Sequence, residues 1–186
     1  MFLNRICALF TRTSQKTTQE QVVYSPDLFV EIAKDKLRRH EGLRYLPYTD
    51  TTGHKSIAYG RNLDDNPYPK EVIDYLSHER SKGVIEGEEV TLAACEYLLS
   101  LDVESSKASA VRIFGIGFFS WTDTRKAAIL NMIYNLGETR FRKFRYTIES
   151  LKKKDWALAA DHAKNSLWYK QVKSRGVEIV KDIREG

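Results

Sequence analysis

One short run of strand-forming sequence, set early in an otherwise helical pattern, constrains this chain more than any other feature. Tyr45-Leu46-Pro47-Tyr48, then Asp50-Thr51-Thr52-Gly53, then Ser56-Ile57-Ala58-Tyr59-Gly60 place aromatic and β-branched residues on either side of a glycine-containing turn. That pattern predicts a small β-hairpin or meander. On its N-terminal side, Ser25-Pro26-Asp27 predicts a helix start: a hydroxyl cap, proline at the first position and an acid near the positive dipole end. Leu28, Phe29, Ile32, Ala33 and Leu37 then share one face at helical spacing, and Gly42 is a natural stop. The expected helix runs from about Pro26 to His40. After Asn66-Pro67 helical spacing returns over residues 71–79, 91–103, 122–136, 144–152, 155–164 and 171–183. Ala127, Ile129, Leu130, Ile133 and Tyr134 make the helix over 122–136 apolar nearly all round, which predicts a central position. No internal repeat is evident. The expected class is α+β.

At 186 residues the chain fits one compact domain or two small lobes sharing a core. The expected division is a flexible N-terminal extension over 1–25 and one domain over 26–186. Within that domain, 26–88 would form a β-containing lobe with the first helix, and 89–186 a helical lobe. The extension is set apart by composition: Met1 to Phe10 is apolar but interrupted by Asn4 and Arg5, and Thr11 to Gln21 is rich in threonine and glutamine. A secretory signal needs a continuous apolar core, which this segment lacks. A flexible tail is the expectation, with a short membrane- or partner-touching element as the alternative. A mean hydropathy of −0.46 and 30% charged residues suit a soluble protein. No apolar run approaches the ~20 residues needed to cross a bilayer.

Charge is divided unevenly. Residues 1–138 carry 17 basic and 19 acidic groups, net −2, whereas 139–186 carry 13 basic and 6 acidic, net +7. A cationic surface at one end suits an anionic polymer: nucleic acid, anionic lipid or cell wall. Composition alone does not choose among them. Cys7 and Cys95 lie far apart with no CxxC or Cys/His ladder, so two free thiols in a reducing cytoplasm are expected. His40, His54, His78 and His162 show no metal-ligand spacing. Gly115-Ile116-Gly117 lacks the third glycine and βαβ context of a dinucleotide loop, and no Gly-x-Ser-x-Gly elbow is present. Arg140-Phe141-Arg142-Lys143-Phe144-Arg145 interleaves cations with aromatics as nucleic-acid binders do. The favoured reading is a helix face that buries both phenylalanines and leaves the cations in solvent.

The sharpest chemistry lies in a pair of carboxylates. Glu41 falls at the carboxyl end of the first helix, where the negative dipole end disfavours a second negative charge. Asp50 follows nine residues later at the hairpin turn, where backbone donors and water favour the ionised form. Two carboxyl groups in contrasting environments are what glycosidic cleavage uses, one as acid and one as carboxylate. Ser56, on the returning strand, is placed to hold a water between them. The spacing by itself equally fits a helix-end glutamate and an Asx-turn aspartate without catalytic duty.

Three segments narrow the choice: His40-Glu41-Gly42-Leu43-Arg44, Pro47-Tyr48-Thr49-Asp50-Thr51 and Gly53 through Leu63. Together they resemble the catalytic segment of the phage lysozymes, glycoside hydrolase family 24, in the style of the T-even phage enzymes. The C-terminal part is similar to the same family through Arg125-Lys126-Ala127-Ala128, Asn131-Met132, Asn135-Leu136-Gly137-Glu138-Thr139, Phe144, Trp156, Ala159-Ala160 and Ser166-Leu167-Trp168-Tyr169. The resemblance spans Leu28 to Gly186 in consistent order. It implies a lysozyme-like fold, a small β lobe and a mostly helical lobe with a cleft between. By the same resemblance Glu41 matches the general acid, Asp50 the second carboxylate, Ser56 the water-positioning threonine and Arg175 the arginine that pairs with the catalytic glutamate. Tyr134 and Thr147 match substrate-cleft positions. Asn62 and His162 occupy two more cleft positions without matching in residue type. Serine at position 56 keeps the hydroxyl and loses a methyl, and Ala58 stands where glycine is common.

The implied activity is hydrolysis of the β-1,4 bond between N-acetylmuramic acid and N-acetylglucosamine by a monomeric endolysin. No metal or organic cofactor is implied. The implied partner is bacterial peptidoglycan and not nucleic acid, with membrane contact only through the N-terminal extension. The implied location is the host cytoplasm until lysis. A virion-associated or toxin-type lysozyme domain and a non-catalytic wall-binding module are the alternatives.

Overall fold

A computed structural model of the chain describes residues 27–50, 53–80 and 89–186. The expected extension over 1–25, with Ser25, Pro26 and Cys7, lies outside the described residues. Helix α1 covers Leu28–Glu41 with Asp27 at its N-cap position, so it begins two residues later than the predicted Pro26 and includes Glu41 in its last turn. Phe29, Val30, Ala33 and Leu37 form its buried face. Gly42, at φ 69°, ends it as expected, because a positive φ costs glycine nothing.

The β element forms as a three-stranded antiparallel sheet in the order β1 (Arg44–Thr49), β2 (Lys55–Ala58), β3 (Arg61–Asn62). Tyr48 pairs with Ser56 and Arg44 with Ala58, so a longer stretch of β1 opposes a shorter one of β2. Pro47 sits within that irregularity on an edge strand, where its missing N–H is tolerated. Across β2, Ser56 pairs with Asn62 and Ile57 with Arg61. Ser56, Ile57 and Ala58 are all buried, since β2 is the central strand of the sheet.

The rest is helical: α2 (Lys70–Arg80), α3 (Leu92–Phe114), a 3₁₀ segment (Gly115–Ser120), α4 (Asp123–Phe141), α5 (Arg145–Lys152), α6 (Trp156–Lys164), α7 (Leu167–Val172) and α8 (Ser174–Glu185). Helix α4 is the axis of the lobe. Ala127, Ala128, Ile129, Leu130 and Met132 are fully buried within it, and α1, α3 and α8 pack around it. The first helix therefore lies against the helical lobe as well as feeding the sheet. Phe118, Phe114, Trp121 and Phe141 fill one end of this core, with Phe114 and Trp121 ring centroids 4.8 Å apart. No helix among the described residues is long and apolar enough to cross a membrane.

Two helix boundaries correct the expectation. Helix α3 continues eleven residues past the predicted end at 103. Ser106 and Ser109 are buried in that extension, and their hydroxyls donate to the carbonyls of Asp102 at 2.9 Å and Ser105 at 3.1 Å. Self-satisfied serines allow a helix to pack closely without the apolar stripe that periodicity detects. The expected single helix over 171–183 is instead two, α7 and α8, broken at Lys173 with φ 49°. Ser166 caps α7 by accepting from the Tyr169 N–H at 3.1 Å.

Candidate active site

Glu41 stands where α1 meets the sheet. Its Oε1 accepts a hydrogen bond from Arg175 Nη2 at 2.5 Å, across 134 residues of sequence. Arg175 is 7% exposed in the first turn of α8, immediately after the break at Lys173. Beside the helix dipole, a guanidinium thus reaches the same carboxylate from the far end of the chain. The other carboxylate oxygen faces Gly60. A Cβ placed on Gly60 would lie 3.4 Å from Glu41 Oε2, and Gly60 has φ +81°. Only glycine meets both conditions without strain.

The turn from Ala58 to Gly60 is held from several sides. Ala58 adopts φ 54°, a left-handed conformation that disfavours any residue with a Cβ. The departure noted at this position is therefore a strained one. Tyr134, from α4, donates its hydroxyl to the Tyr59 carbonyl at 2.7 Å. Tyr59 in turn donates its hydroxyl to Glu96 Oε1 of α3 at 2.7 Å. Arg38 grips Glu96 through Nε at 3.1 Å and Nη2 at 2.7 Å. Burial, with the Glu96 acceptor adding to it, pushes the Tyr59 phenol up to about 12. The Arg38 hydrogen bond holds the Glu96 carboxyl below its ordinary value. Burial raises Tyr134 well above the ordinary phenol range, and the charges of Asp102 and Glu41 raise it further. Tyr134 thus lies within electrostatic reach of Glu41 and Arg175 on one side and of Asp102 and Arg61 on the other.

Asp50 occupies the hairpin turn. Its Oδ1 accepts from the His54 N–H at 2.9 Å, its own N–H donates to the His54 carbonyl at 2.8 Å, and Gly53 donates to its carbonyl at 3.1 Å. Ser56 is 2% exposed on β2, two residues beyond His54. Tyr48, paired with Ser56 across the strands, lies within electrostatic reach of both acids. Burial raises its phenol pKa first, and the charges of Glu41 and Asp50 both raise it further, while Arg44 opposes them.

Asn62 ends the sheet. Its Oδ1 accepts from the Asp64 N–H at 2.8 Å and the Asp65 N–H at 3.2 Å, while its Nδ2 donates to Asp65 Oδ2 at 2.9 Å. It serves the fold as a turn cap and also lines a polar pocket of about 200 Å³. Gly60, Arg61, Asp102, Tyr134 and Glu138 form other parts of that pocket wall. Arg61 is buried, pairs with Asp102, and donates to the carbonyls of Asn66 at 2.9 Å and Pro67 at 3.1 Å. Glu138 follows the non-helical Gly137 and is clasped by Arg112 of α3 and by Arg142.

The structure thus gathers Glu41, Arg175, Tyr134 and Asn62 around the turn at Gly60, with Ser56 on the adjoining sheet and Asp50 in its hairpin turn. Thr147 and His162 belong to the helical lobe farther along the chain. Thr147 is 2% exposed on α5, and His162 on α6 stacks against Tyr146 with centroids 5.5 Å apart. Sequence reasoning missed Tyr59, Glu96, Arg38 and the Arg61–Asp102 pair. Each joins residues dozens of positions apart, which spacing cannot reveal. Cys95 is buried, and burial pushes its thiol up to about 11, a structural rather than reactive cysteine.

A small antiparallel sheet set against a helical lobe, with a helix-end glutamate at their junction, defines the lysozyme-like α+β class. Residues 38–181 match the family described as phage lysozyme, and the chain belongs to that family. It is similar to the probable T4-type lysozyme 2 of Dictyostelium discoideum, 26% identical over 163 residues that cover 84% of this chain and 96% of that protein. The probable T4-type lysozyme 1 of the same organism is 25% identical with the same coverage. The pre-baseplate central spike protein Gp5 of Enterobacteria phage T4 is 28% identical over 160 residues, which cover 82% of this chain and 27% of that protein.

Proposed function

We propose that this protein is a peptidoglycan-degrading endolysin that hydrolyses the β-1,4 bond between N-acetylmuramic acid and N-acetylglucosamine during host lysis. The observation that carries the reading is Glu41, held by Arg175 and backed by Gly60 at the junction of helix and sheet. In this mechanism Glu41 donates a proton to the glycosidic oxygen as the bond to the sugar carbon breaks. Asp50 stabilises positive charge at that carbon and, with the Ser56 hydroxyl, orients the attacking water, whose proton passes to the Asp50 carboxylate as the new carbon–oxygen bond forms. Arg175 keeps the Glu41 carboxyl in one rotamer. The ring of Tyr134 and the side chain of Asn62 supply part of the cleft wall. The acid–base work rests on side chains of the chain itself. The protein would collect in the host cytoplasm and reach the wall at lysis.

Glu41→Gln is the direct test, since it removes the proton donor while keeping shape. Purified protein should clear a peptidoglycan suspension, and the variant should lose at least 99% of that rate with an unchanged circular dichroism spectrum. Wild-type clearing by the variant would sink the mechanism. New reducing ends among the products support hydrolysis, whereas 1,6-anhydromuramic ends would reject it. The similarity to a phage spike protein favours one second reading, a virion-associated lysozyme domain. Detection of the chain in purified virions would select that reading over an endolysin.

A further inference from the structure

The residues that flank the Glu41–Arg175 pair also meet each other. His40 precedes Glu41 at the end of α1, and Glu178 lies one helical turn after Arg175 on α8. His40 Nε2 stands 2.9 Å from Glu178 Oε2. The two helices are thus joined by two rungs side by side, Glu41 to Arg175 and His40 to Glu178, with acid and base exchanged between them. Arg175 keeps its charge at every working pH, whereas an imidazole changes charge within that range.

The His40 side chain is 13% exposed, so the charges around it act with little screening. On its own helix Arg39 and Glu41 adjoin it, and on α8 Arg175 and Glu178 face it. Lys36 and Asp182 complete the cluster around Glu178. From α3 comes Glu96, which Arg38 already pairs, and from α4 comes Tyr134, a phenol that stays protonated and adds no charge. Burial, and next the charge of Arg175, hold the imidazole below its ordinary value against the pull of Glu178. His40 is therefore neutral at neutral pH and takes up its proton on the acid side of 6.5.

The grip of Arg175 is open to such a change. Arg38 holds Glu96 through two nitrogens, Nε and Nη2. Arg175 reaches Glu41 through Nη2, and its buried Nε has no hydrogen-bond partner among the described residues. A guanidinium without the two-pronged grip is less fixed in orientation, and a new charge beside it supplies a force to turn it. We propose that His40 is a positioning residue for Glu41: neutral, it leaves Arg175 committed to the carboxylate, and protonated, it stands as a second cation beside the guanidinium, draws Glu178 to itself and loosens that hold. This rests on the reading of Glu41 as the proton donor. Turnover is what suffers, because a misplaced acid slows the reaction while the rest of the cleft still binds.

The test measures turnover and KM on soluble peptidoglycan oligomers from about pH 8 down to about pH 4.5 at constant ionic strength, with the His40 imidazole followed by NMR in the same buffers. His40→Gln keeps a neutral amide near the Nε2 position and cannot take a charge. Its turnover should lie within about twofold of wild type at the alkaline end and rise to about fivefold above wild type as pH falls through the His40 titration, with KM tracking wild type. Glu178→Gln removes the anion that favours the proton. It should move the imidazole titration and the acid loss of turnover to lower pH together. A His40→Gln to wild-type ratio that stays flat with pH, a change in KM instead of turnover, or a loss of turnover that ignores the His40 titration would each overturn the inference. Wild-type clearing by Glu41→Gln would remove the hydrolase reading. An inactive Glu41→Gln beside a flat His40→Gln ratio would remove this inference alone, so the two failures are distinguishable.

Discussion

Removing one oxygen atom from Tyr134 tests how the sheet is held over Glu41. In Tyr134→Phe the ring remains, but the 2.7 Å hydrogen bond to the Tyr59 carbonyl is lost. A neutral hydrogen bond contributes about 1 kcal/mol net, and a buried acceptor left unmatched raises the cost to about 1–3 kcal/mol. Tyr59 is 5% exposed, so water has poor access to the stranded carbonyl. Phenylalanine recovers part of the loss because no hydroxyl need be desolvated. An expected cost of about 1.5 kcal/mol follows, and for a domain of this size it should lower Tm by roughly 3–6 °C. Burial keeps the Tyr134 hydroxyl protonated well above the ordinary phenol range, so the cost should be equal at pH 5 and pH 8. The carbonyl freed is that of the residue before Gly60, which backs Glu41. Turnover should therefore fall by roughly tenfold, equivalent to about 1.4 kcal/mol in the barrier, with KM little changed. Urea unfolding at the two pH values and wall-clearing kinetics measure both effects. A stability change below about 0.3 kcal/mol together with wild-type turnover would refute the argument that this hydroxyl holds the turn.

Three further substitutions probe the same region. Arg112 and Arg142, with Ser109, hold the Glu138 carboxyl down at about 2. A depressed acid contributes stability above its unfolded pKa, and that contribution is lost as pH falls through the folded value. Full linkage would be about 3 kcal/mol. Arg112 and Arg142 are 56% and 49% exposed, so screening reduces the expectation to about 1 kcal/mol. Glu138→Gln should cost that much at pH 7 and progressively less between pH 4.5 and 2 in urea titrations, and a pH-independent cost would count against the ion-pair account. At the strained turn, Gly60→Ala should destabilise by about 1–2 kcal/mol, since it combines φ +81° with a Cβ against Glu41. Ala58→Gly, which relieves φ 54° at the loss of one buried methyl, should be neutral or stabilise by up to about 1 kcal/mol. Thermal melts that reverse this order would remove strain as the explanation.

What the sequence disclosed and what it hid follow from the range of each interaction. The sheet, the end of α1 at Gly42 and the centrality of α4 rest on neighbours within a few residues, so local pattern was sufficient. The inward turn of Phe141 and Phe144 was legible for the same reason. Helix α3 escaped beyond residue 103 because Ser106 and Ser109 satisfy themselves within the helix and leave no stripe. The break at Lys173 escaped because a lysine in a left-handed conformation carries no sequence signal. Glu41 and Asp50 were visible as a pair of carboxylates, but the spacing did not distinguish catalysis from an ordinary helix end and turn. The family likeness pointed to Arg175, and the structure supplies its contact. Glu96 and Arg38 had neither spacing nor likeness to reveal them, and nothing local to Tyr59 announced its contact with Glu96.

The positions of these long-range contacts say when the site exists. Glu41 is on α1 and Arg175 on α8, so the pair forms only when α8 has docked against α1. Lys36 makes that docking specific, reaching Glu178 and Asp182 of α8 at 2.6 Å each, and Arg39 adds a contact to Glu178 at 3.1 Å. Residues 36, 39 and 41 on one helix thus meet residues 175, 178 and 182 on the other along a single charged seam. Opposite charges fix the register of two helices whose apolar faces point toward α4, and hydrophobic contact alone would tolerate sliding. The break at Lys173 then has a structural consequence. It frees α8 to take the direction that this seam requires, so that Arg175 in its first turn arrives at the carboxylate.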